Sequence, residues 1–349
     1  MVQKIFMQRC LELAALGNGK VAPNPLVGAV LVVDNKIIAE GYHQNFGGAH
    51  AEVNAINAVA DQSLLSKATL YVNLEPCAHF GKTPPCADLV INSGIREVVV
   101  AQVDPFEKVA GNGIAKMQAA GIEVHVGLME AEAKWLNRRF IHFVTHKKPY
   151  VILKWAQTMS GYIAPYAHQM SKEAFEEKRH ITGLLVQKQV HKWRTEETAI
   201  LVGRNTVVTD NPALNARAWL GKNPLRIVVD RMLKLDHSYK VFDGQTPTWI
   251  VNSMKAESLP NLEYVYFEPT ENWTDVLLNK MYHAGHQSLI IEGGSSILNH
   301  VIASNLWQEA QVFYTPKHFK DGVPAPHISG QLTETFELDQ SVFKRYTND

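Results

Sequence analysis

The chain has 349 residues, enough for two domains at about 100–200 residues each, and its 46% hydrophobic and 19% charged residues are ordinary for a globular protein. Lys plus Arg and Asp plus Glu number 34 each, so the formal charge is zero, which argues against broad non-specific attraction to nucleic acid. Three cysteines do not make a secreted disulfide framework, no apolar run reaches the roughly 18 residues a membrane span needs, and the N-terminus lacks a signal peptide's continuous apolar stretch, so the cytoplasm is the expected compartment.

In chain order, residues 2–16 have apolar positions at helical spacing and are closed by Gly17 and Gly19. The turn Pro23-Asn24-Pro25 leads to a buried strand at 27–33, a hairpin turn at Asp34-Asn35 and a second strand at 36–42. Helices are predicted at 50–60, 86–93 and 112–120, and strands at 69–74, 96–102 and 122–126. A second series begins with a strand at 150–155. It continues with a helix at 184–194, strands at 198–202, 225–229, 248–252, 264–267 and 288–291, and a helix at 295–303. Apolar runs at 310–315 and 341–346 close the chain. Alternating strands and helices predict α/β sheets covered on both faces. The segment HFVTHKKP reads as a linker, which places domains at 1–146 and 147–349. No internal repeat is visible.

Three features in the first domain carry chemistry: His50-Ala51-Glu52, Pro76-Cys77 and Pro85-Cys86. One imidazole and two thiolates suit zinc, and three protein ligands leave the fourth position open that a catalytic site requires. His50 and Glu52 lie about 200° apart around a helix at roughly 100° per residue. They converge only above the helix's N-terminal end, where the helix dipole also favours anions. In this pattern Glu52 is not a ligand but the proton carrier for hydrolytic removal of an amino group from a heterocyclic base. A structural site would need a fourth protein ligand, which His43 or His79 could supply. Cys10, on the apolar face of the first helix, reads as core.

PNPLVGAV at 23–30, GYH at 41–43, HAE at 50–52, LEPCAHFGKTPPC at 74–86 and VAGNG at 109–113 resemble the bifunctional deaminase–reductases of riboflavin biosynthesis. TVVTDNPALNAR at 206–217 and IIEGGSSI at 290–297 are similar to the reductase half of that family. The resemblance implies a cytidine-deaminase-like α/β/α domain followed by a dihydrofolate-reductase-like α/β domain. It implies zinc-dependent deamination of 2,5-diamino-6-ribosylamino-4(3H)-pyrimidinone 5′-phosphate, then NADPH-dependent reduction of the ribosyl group to ribityl. His50, Cys77 and Cys86 would hold zinc, and Glu52 would move protons. Asn24, His43 and His79 would contact substrate in the first domain, and Lys154, Arg194, Leu214, Arg217 and Glu292 in the second. Ala156, His180, Thr206, Asp210, Gly294, Ser295, Ser296, Ile297, Leu298, Asn299 and His300 would contact NADPH. Arg194 and Arg217 suit a sugar phosphate because guanidinium binds phosphate through a two-pronged fork. The Gly293-Gly294-Ser295-Ser296 turn opens a helix, an arrangement that cradles phosphates. Small-molecule partners are implied, with neither nucleic acid nor membrane, and homo-oligomerisation stays open.

The chain departs from the family pattern in places. SLDG is Thr158-Met159-Ser160-Gly161 here, Trp-Ile-Thr is His180-Ile181-Thr182, DPNP is Asp104-Pro105-Phe106-Glu107, and APKLLG becomes TPKHFKDG at 315–322. The stretch before His180 is longer and more charged than expected. These departures leave open a deaminase whose second domain binds nucleotide without reducing anything. The zinc pattern by itself would also suit a transfer-RNA-editing deaminase or a zinc-stapled binding module. The cysteine spacing and zero charge disfavour RNA editing, and a zinc-stapled module requires four protein ligands.

Overall fold

The structure, a computed structural model, describes residues 2–78, 80, 84–106 and 110–348. The chain divides into two compact units, Met1–Lys147 and Lys148–Asp349. Each has its own sheet and core.

The first unit runs α1 (Lys4–Ala15), β1 (Gly28–Val33), β2 (Lys36–Tyr42), α2 (Ala51–Asn57), β3 (Thr69–Val72), α3 (Cys86–Asn92), β4 (Glu97–Val100), α4 (Asn112–Ala119), β5 (Glu123–Val126), α5 (Glu130–Leu136) and α6 (Arg138–His146). Its sheet order is β2-β1-β3-β4-β5. β1 pairs antiparallel with β2 and β3, and β3, β4 and β5 are parallel. Asp34 and Asn35 close the β1–β2 hairpin with φ of 49° and 60°, the left-handed pair that matches strand twist and that Asp and Asn tolerate. Successive residues of β1 face opposite layers. Ala29 and Leu31 pack with α2, α3 and α4, whereas Val30 and Val32 pack with Phe6, Met7 and Cys10 of α1. A sheet buried on both faces yields the continuous apolar runs seen in the sequence. At Gly41 of β2 a Cβ would lie 2.3 Å from the Ala55 nitrogen and 2.5 Å from the Ala51 carbonyl, so only glycine lets α2 lie this close to the strand.

The second unit runs β6 (Tyr150–Thr158), β7 (Tyr162–Ala164), α7 (Lys172–Arg179), α8 (Leu184–Glu196), β8 (Ala199–Gly203), α9 (Arg204–Asp210), β9 (Leu225–Val229), β10 (Thr248–Asn252), β11 (Glu257–Leu259), β12 (Leu262–Tyr266), α10 (Trp273–His283), β13 (Ser288–Ile291), α11 (Ser295–Ala303), β14 (Glu309–Thr315), β15 (Val323–Pro324), β16 (Gln331–Leu338) and β17 (Ser341–Thr347). The main sheet has the order β11-β12-β10-β9-β8-β13-β6-β14-β17-β16, and β7 pairs with β15 apart from it. From β12 across to β14 the strands are parallel, and the edge pairs are antiparallel. β13 lies between β6 and β8, where strand order reverses. In open parallel sheets ligands bind beyond the strands' carboxyl ends at such a reversal.

Two expectations need correction. HFVTH is not linker but the last part of α6, and the change of direction comes at Lys147, with φ of 55°. Helices α5, α6, α7, α9 and α10 and strands β7, β11, β15 and β16 are additional to the predicted elements. β16 is an edge strand with mostly exposed residues, so it lacks the apolar alternation that reveals a half-buried strand. Among the described residues no helix is long and apolar enough to cross a membrane.

Candidate active sites

In the first unit His50 is the N-cap of α2, and Glu52 lies in its first turn, as convergence above the helix end requires. Cys77 follows β3 through an extended segment, and Cys86 is the first residue of α3. The His50 Nδ1 atom lies 3.2 Å from Cys86 Sγ and 3.7 Å from Cys77 Sγ. All three donor atoms fall within 4.8 Å of one another. Tetrahedral zinc, with Zn–S of about 2.3 Å and Zn–N of about 2.0–2.1 Å, separates its ligand atoms by about 3.5–3.8 Å. The donor set and its spacing fit zinc.

Electrostatics point the same way. The Cys86 amide donates to Cys77 Sγ at 3.3 Å. The Cys77 thiol is pushed down to about 4, first by hydrogen bonding with Cys86 and also by His50. Sharing with Cys77 and burial push Cys86 the opposite way. Two thiols so close ionise together only when a cation lies between them. Burial pushes the Glu52 carboxyl up to about 7. It is 3% exposed, among the ligands without being one of them.

His43 stands edge-on to His50, with ring centres 5.6 Å apart. Its Nδ1–H donates to the Ala49 carbonyl at 3.0 Å, which makes Nε2 the acceptor for the Asn24 amide at 3.1 Å. Burial holds the ring below its ordinary pKa, so it stays neutral. Asn24, His43 and His50 are thus brought together, while His79 lies outside the described residues. Cys10 is fully buried, and its Sγ–H donates to the Tyr71 carbonyl at 3.3 Å.

Sequence reasoning missed Glu75. Its buried carboxylate accepts four backbone N–H groups: Asp104 at 3.1 Å, Gly111 at 2.9 Å, Gly113 at 2.8 Å and Ile114 at 3.2 Å. This ties the segment carrying Cys77 to the start of α4. The signal was an acidic residue at the end of an apolar strand, where it needs partners.

In the second unit a cavity of about 1320 Å³ opens at the carboxyl ends of β6, β8, β9 and β13. Lys154, Ala156, His180, Arg194, Thr206, Asp210, Leu214 and Arg217 line it, as do Glu292 and residues 294–298. Asn299 and His300, expected at the cofactor turn, lie further along α11. Asn299 bonds Ser295 Oγ at 3.2 Å, and His300 stacks on Trp273. Gly293, with φ of 114°, makes the left-handed turn between β13 and α11.

Arg194 is already engaged. Nε and Nη2 grip both oxygens of Glu292 at 2.8 and 2.6 Å, and Nη1 donates to the Asn215 carbonyl at 3.1 Å, which uses three of its five N–H groups. Burial alone would raise Glu292, but the charges of Arg194 and Lys154 outweigh it and hold the carboxyl down at about 2. Burial lowers the Lys154 ammonium, and Glu292 opposes that shift. Arg217, in contrast, is exposed and bonds Asn215 Oδ1 at 3.1 Å. Asp210 is held by Arg179 of α7 at 2.9 Å, a partner the sequence did not suggest.

The chain matches two family descriptions: the RibD C-terminal domain over residues 149–347, and the cytidine and deoxycytidylate deaminase zinc-binding region over residues 2–102. It is 38% identical over 328 residues to the riboflavin biosynthesis protein RibD of Aquifex aeolicus, covering 92% of this chain and 89% of that protein. It is 37% identical over 341 residues to RibD of Bacillus amyloliquefaciens, covering 95% of this chain and 89% of that protein. Among solved structures it is similar to a diaminohydroxyphosphoribosylaminopyrimidine deaminase/5-amino-6-(5-phosphoribosylamino)uracil reductase from Thermotoga maritima, with a TM-score of 0.87 and 36% identity, covering 99% of this chain and 98% of that one. The two family matches, the full-length likeness and the zinc-compatible triad place this chain in the RibD family of bifunctional riboflavin-biosynthesis enzymes, a zinc-dependent deaminase joined to an NADPH-dependent reductase.

Proposed function

We propose that residues 1–146 deaminate 2,5-diamino-6-ribosylamino-4(3H)-pyrimidinone 5′-phosphate and that residues 147–349 then reduce the ribosyl group of the product to ribityl. The observation that carries this reading is the grouping of His50, Cys77 and Cys86 around one point, with Glu52 buried beside them. Zinc at that point makes a nucleophile available from water at neutral pH. The residues do the rest. His50, Cys77 and Cys86 hold the ion. Glu52 takes the water proton at its carboxylate and passes it to the ring nitrogen. It then takes up the second water proton, left on the hydroxyl added to the ring carbon, and gives it to the departing amine, so water and a carbon–nitrogen bond become a carbonyl and ammonia. Neutral His43, its tautomer fixed by Ala49, keeps the Asn24 amide oriented toward the substrate.

In the second unit NADPH supplies hydride. Residues 294–298, Thr206 and Asp210 border the cofactor's part of the cavity. Arg194 locks the Glu292 carboxylate in one orientation to accept sugar hydroxyls, with the Lys154 ammonium beside it. Arg217 meets the phosphate. A small phosphorylated partner suits a chain with no net charge, and thiolates that must stay reduced to hold zinc suit the cytoplasm.

The test is a coupled assay on the full zinc-loaded chain. Ammonia release should precede NADPH oxidation, and the oxidation should start at once when the deaminated substrate is supplied directly. NADPH oxidation with the undeaminated substrate and no ammonia release would overturn the order. Absence of NADPH oxidation with either compound would overturn the reductase assignment.

A further inference from the structure

One face of α8 carries Gln187, His191 and Arg194 to the wall of the second unit's cavity, at the spacing that puts residues on one side of a helix. Arg194 is engaged by Glu292 and Asn215. His191, one turn earlier, has the Asn215 carbonyl as its backbone partner and no side-chain partner. It is 7% exposed, and its Nδ1 is buried without a hydrogen-bond partner among the described residues. The charged groups facing it are Arg194 on its own helix, Arg217 from the loop after α9 and Glu292 from the end of β13, and the Asn215 carbonyl is its polar neighbour. Burial, then Arg194 and Arg217, push the imidazole down to about 4, against the opposing pull of Glu292 and Asn215. An orphaned polar atom in a buried wall is costly to keep, and His191 lines the cavity that a ligand enters.

We propose that His191 contacts the substrate's phosphate and takes up a proton from solvent as the phosphate binds. With Arg217 it then forms a cationic seat for the dianion. This rests on the reading above that Arg217 meets the phosphate. The physical basis is a reversal of sign. Without ligand, two guanidiniums make a third positive charge unfavourable; a dianion in contact turns that repulsion into attraction. No covalent bond forms, and one proton moves from solvent to the ring.

The test uses the full zinc-loaded chain without NADPH, with ribose 5-phosphate as the probe, by calorimetry at neutral pH in buffers of different ionisation enthalpy. Wild type should show proton uptake on binding that His191→Gln lacks. His191→Gln should also bind about 10-fold or more weakly, the scale of one charge-assisted hydrogen bond. Its NADPH affinity and deamination should match wild type. Because the variant could misfold, imidazole nitrogen NMR of the wild-type chain reads the same event unaltered: the His191 signal should pass from neutral to protonated on adding the probe. A signal that stays neutral overturns the proposal, as does equal affinity and proton uptake in the two proteins. Binding weakened in His191→Gln with unchanged proton uptake also overturns it, and points to a sugar hydroxyl instead. If Arg217→Ala binds the probe as wild type does, the placement of the phosphate fails, and the inference with it. If Arg217→Ala loses affinity and His191→Gln does not, the inference alone fails.

Discussion

Glu52 and Glu75 are both buried carboxylates of the first unit, each 3% exposed, but their surroundings assign them different work. Glu75 is bonded by four backbone amides and has no capacity to spare for substrate. Glu52 stands among zinc ligands in a setting that raises its pKa, which suits a group that must both hold and release a proton. Glu52→Gln keeps the shape and all three ligands. It should therefore retain wild-type zinc content while ammonia release falls by about 10²–10⁴-fold, the usual contribution of general acid–base help. Metal analysis beside an ammonia assay checks this, and undiminished release at full zinc content would remove Glu52 from its role. At this scale the deaminase residues were legible because few residue types bind zinc, so their joint presence is informative. Arg194 was not. A sequence shows a guanidinium but not the carboxylate that occupies it, and Glu292 lies 98 positions away.

The Arg194–Glu292 pair joins α8 to the end of β13, with side-chain exposures of only 12% and 10%. Removing one partner of a buried pair leaves the other charge uncompensated, a loss of about 3–5 kcal/mol. Arg194→Ala should therefore lower the thermal stability of the second unit sharply, and reduction should fail with it. Arg217→Ala removes an exposed cation. It should leave stability near wild type and raise the KM for the deaminated substrate. Thermal unfolding of both variants beside reductase kinetics checks the contrast, and equal melting temperatures would mean that Arg194 is not the tie described. The segments that depart from the family pattern also make sense as elements, because they touch each other. Ser160 Oγ accepts the Phe319 amide at 3.0 Å, so a hydroxyl does what an acidic residue would do as acceptor. Lys317 donates to the His180 carbonyl at 2.8 Å, and β7 pairs with β15. Residues 158–161, 180 and 315–322 meet in space, whereas a linear reading sees three unrelated losses. The predicted strands emerged well because buried parallel strands are continuous apolar runs. Helix α10 had its signal too, in Asn272, whose side chain caps the Thr274 amide at 3.2 Å. Helix α7 is strongly polar and lacks an apolar stripe to announce it.

Across the whole molecule, each unit buries a separate set of apolar residues: the clusters around β1 and β4 belong to Met1–Lys147, and those around β6 and β13 to Lys148–Asp349. The zinc ligands all belong to the first. Binding of a metal to the folded form alone adds to that form's stability. A strong chelator should therefore abolish ammonia release and lower the melting transition of the first unit. NADPH oxidation with the deaminated substrate, and the transition of the second unit, should be left in place. Calorimetric scans with and without chelator, beside both assays, check this. Loss of both activities together would mean that the reductase depends on the metal-bound form of the first unit. The two-unit organisation was legible from length and from the restart of strands near residue 150. The segment before the boundary was misread as linker because α6 is amphipathic, and its polar residues resemble those of a linker.

The carboxylate of Glu75 joins positions 29 to 39 residues apart in the chain, the span over which a small protein would place a covalent crosslink. Here the crosslink is made of charge and amide hydrogens, beside two cysteines whose thiolates must stay free for metal. A third and fourth cysteine at this place would offer the wrong partners for exchange, and a reducing compartment would open the bond they formed. A carboxylate clasp has no redox state. It holds the Cys77 segment to the start of α4 under the same reducing conditions that keep the zinc ligands able to bind.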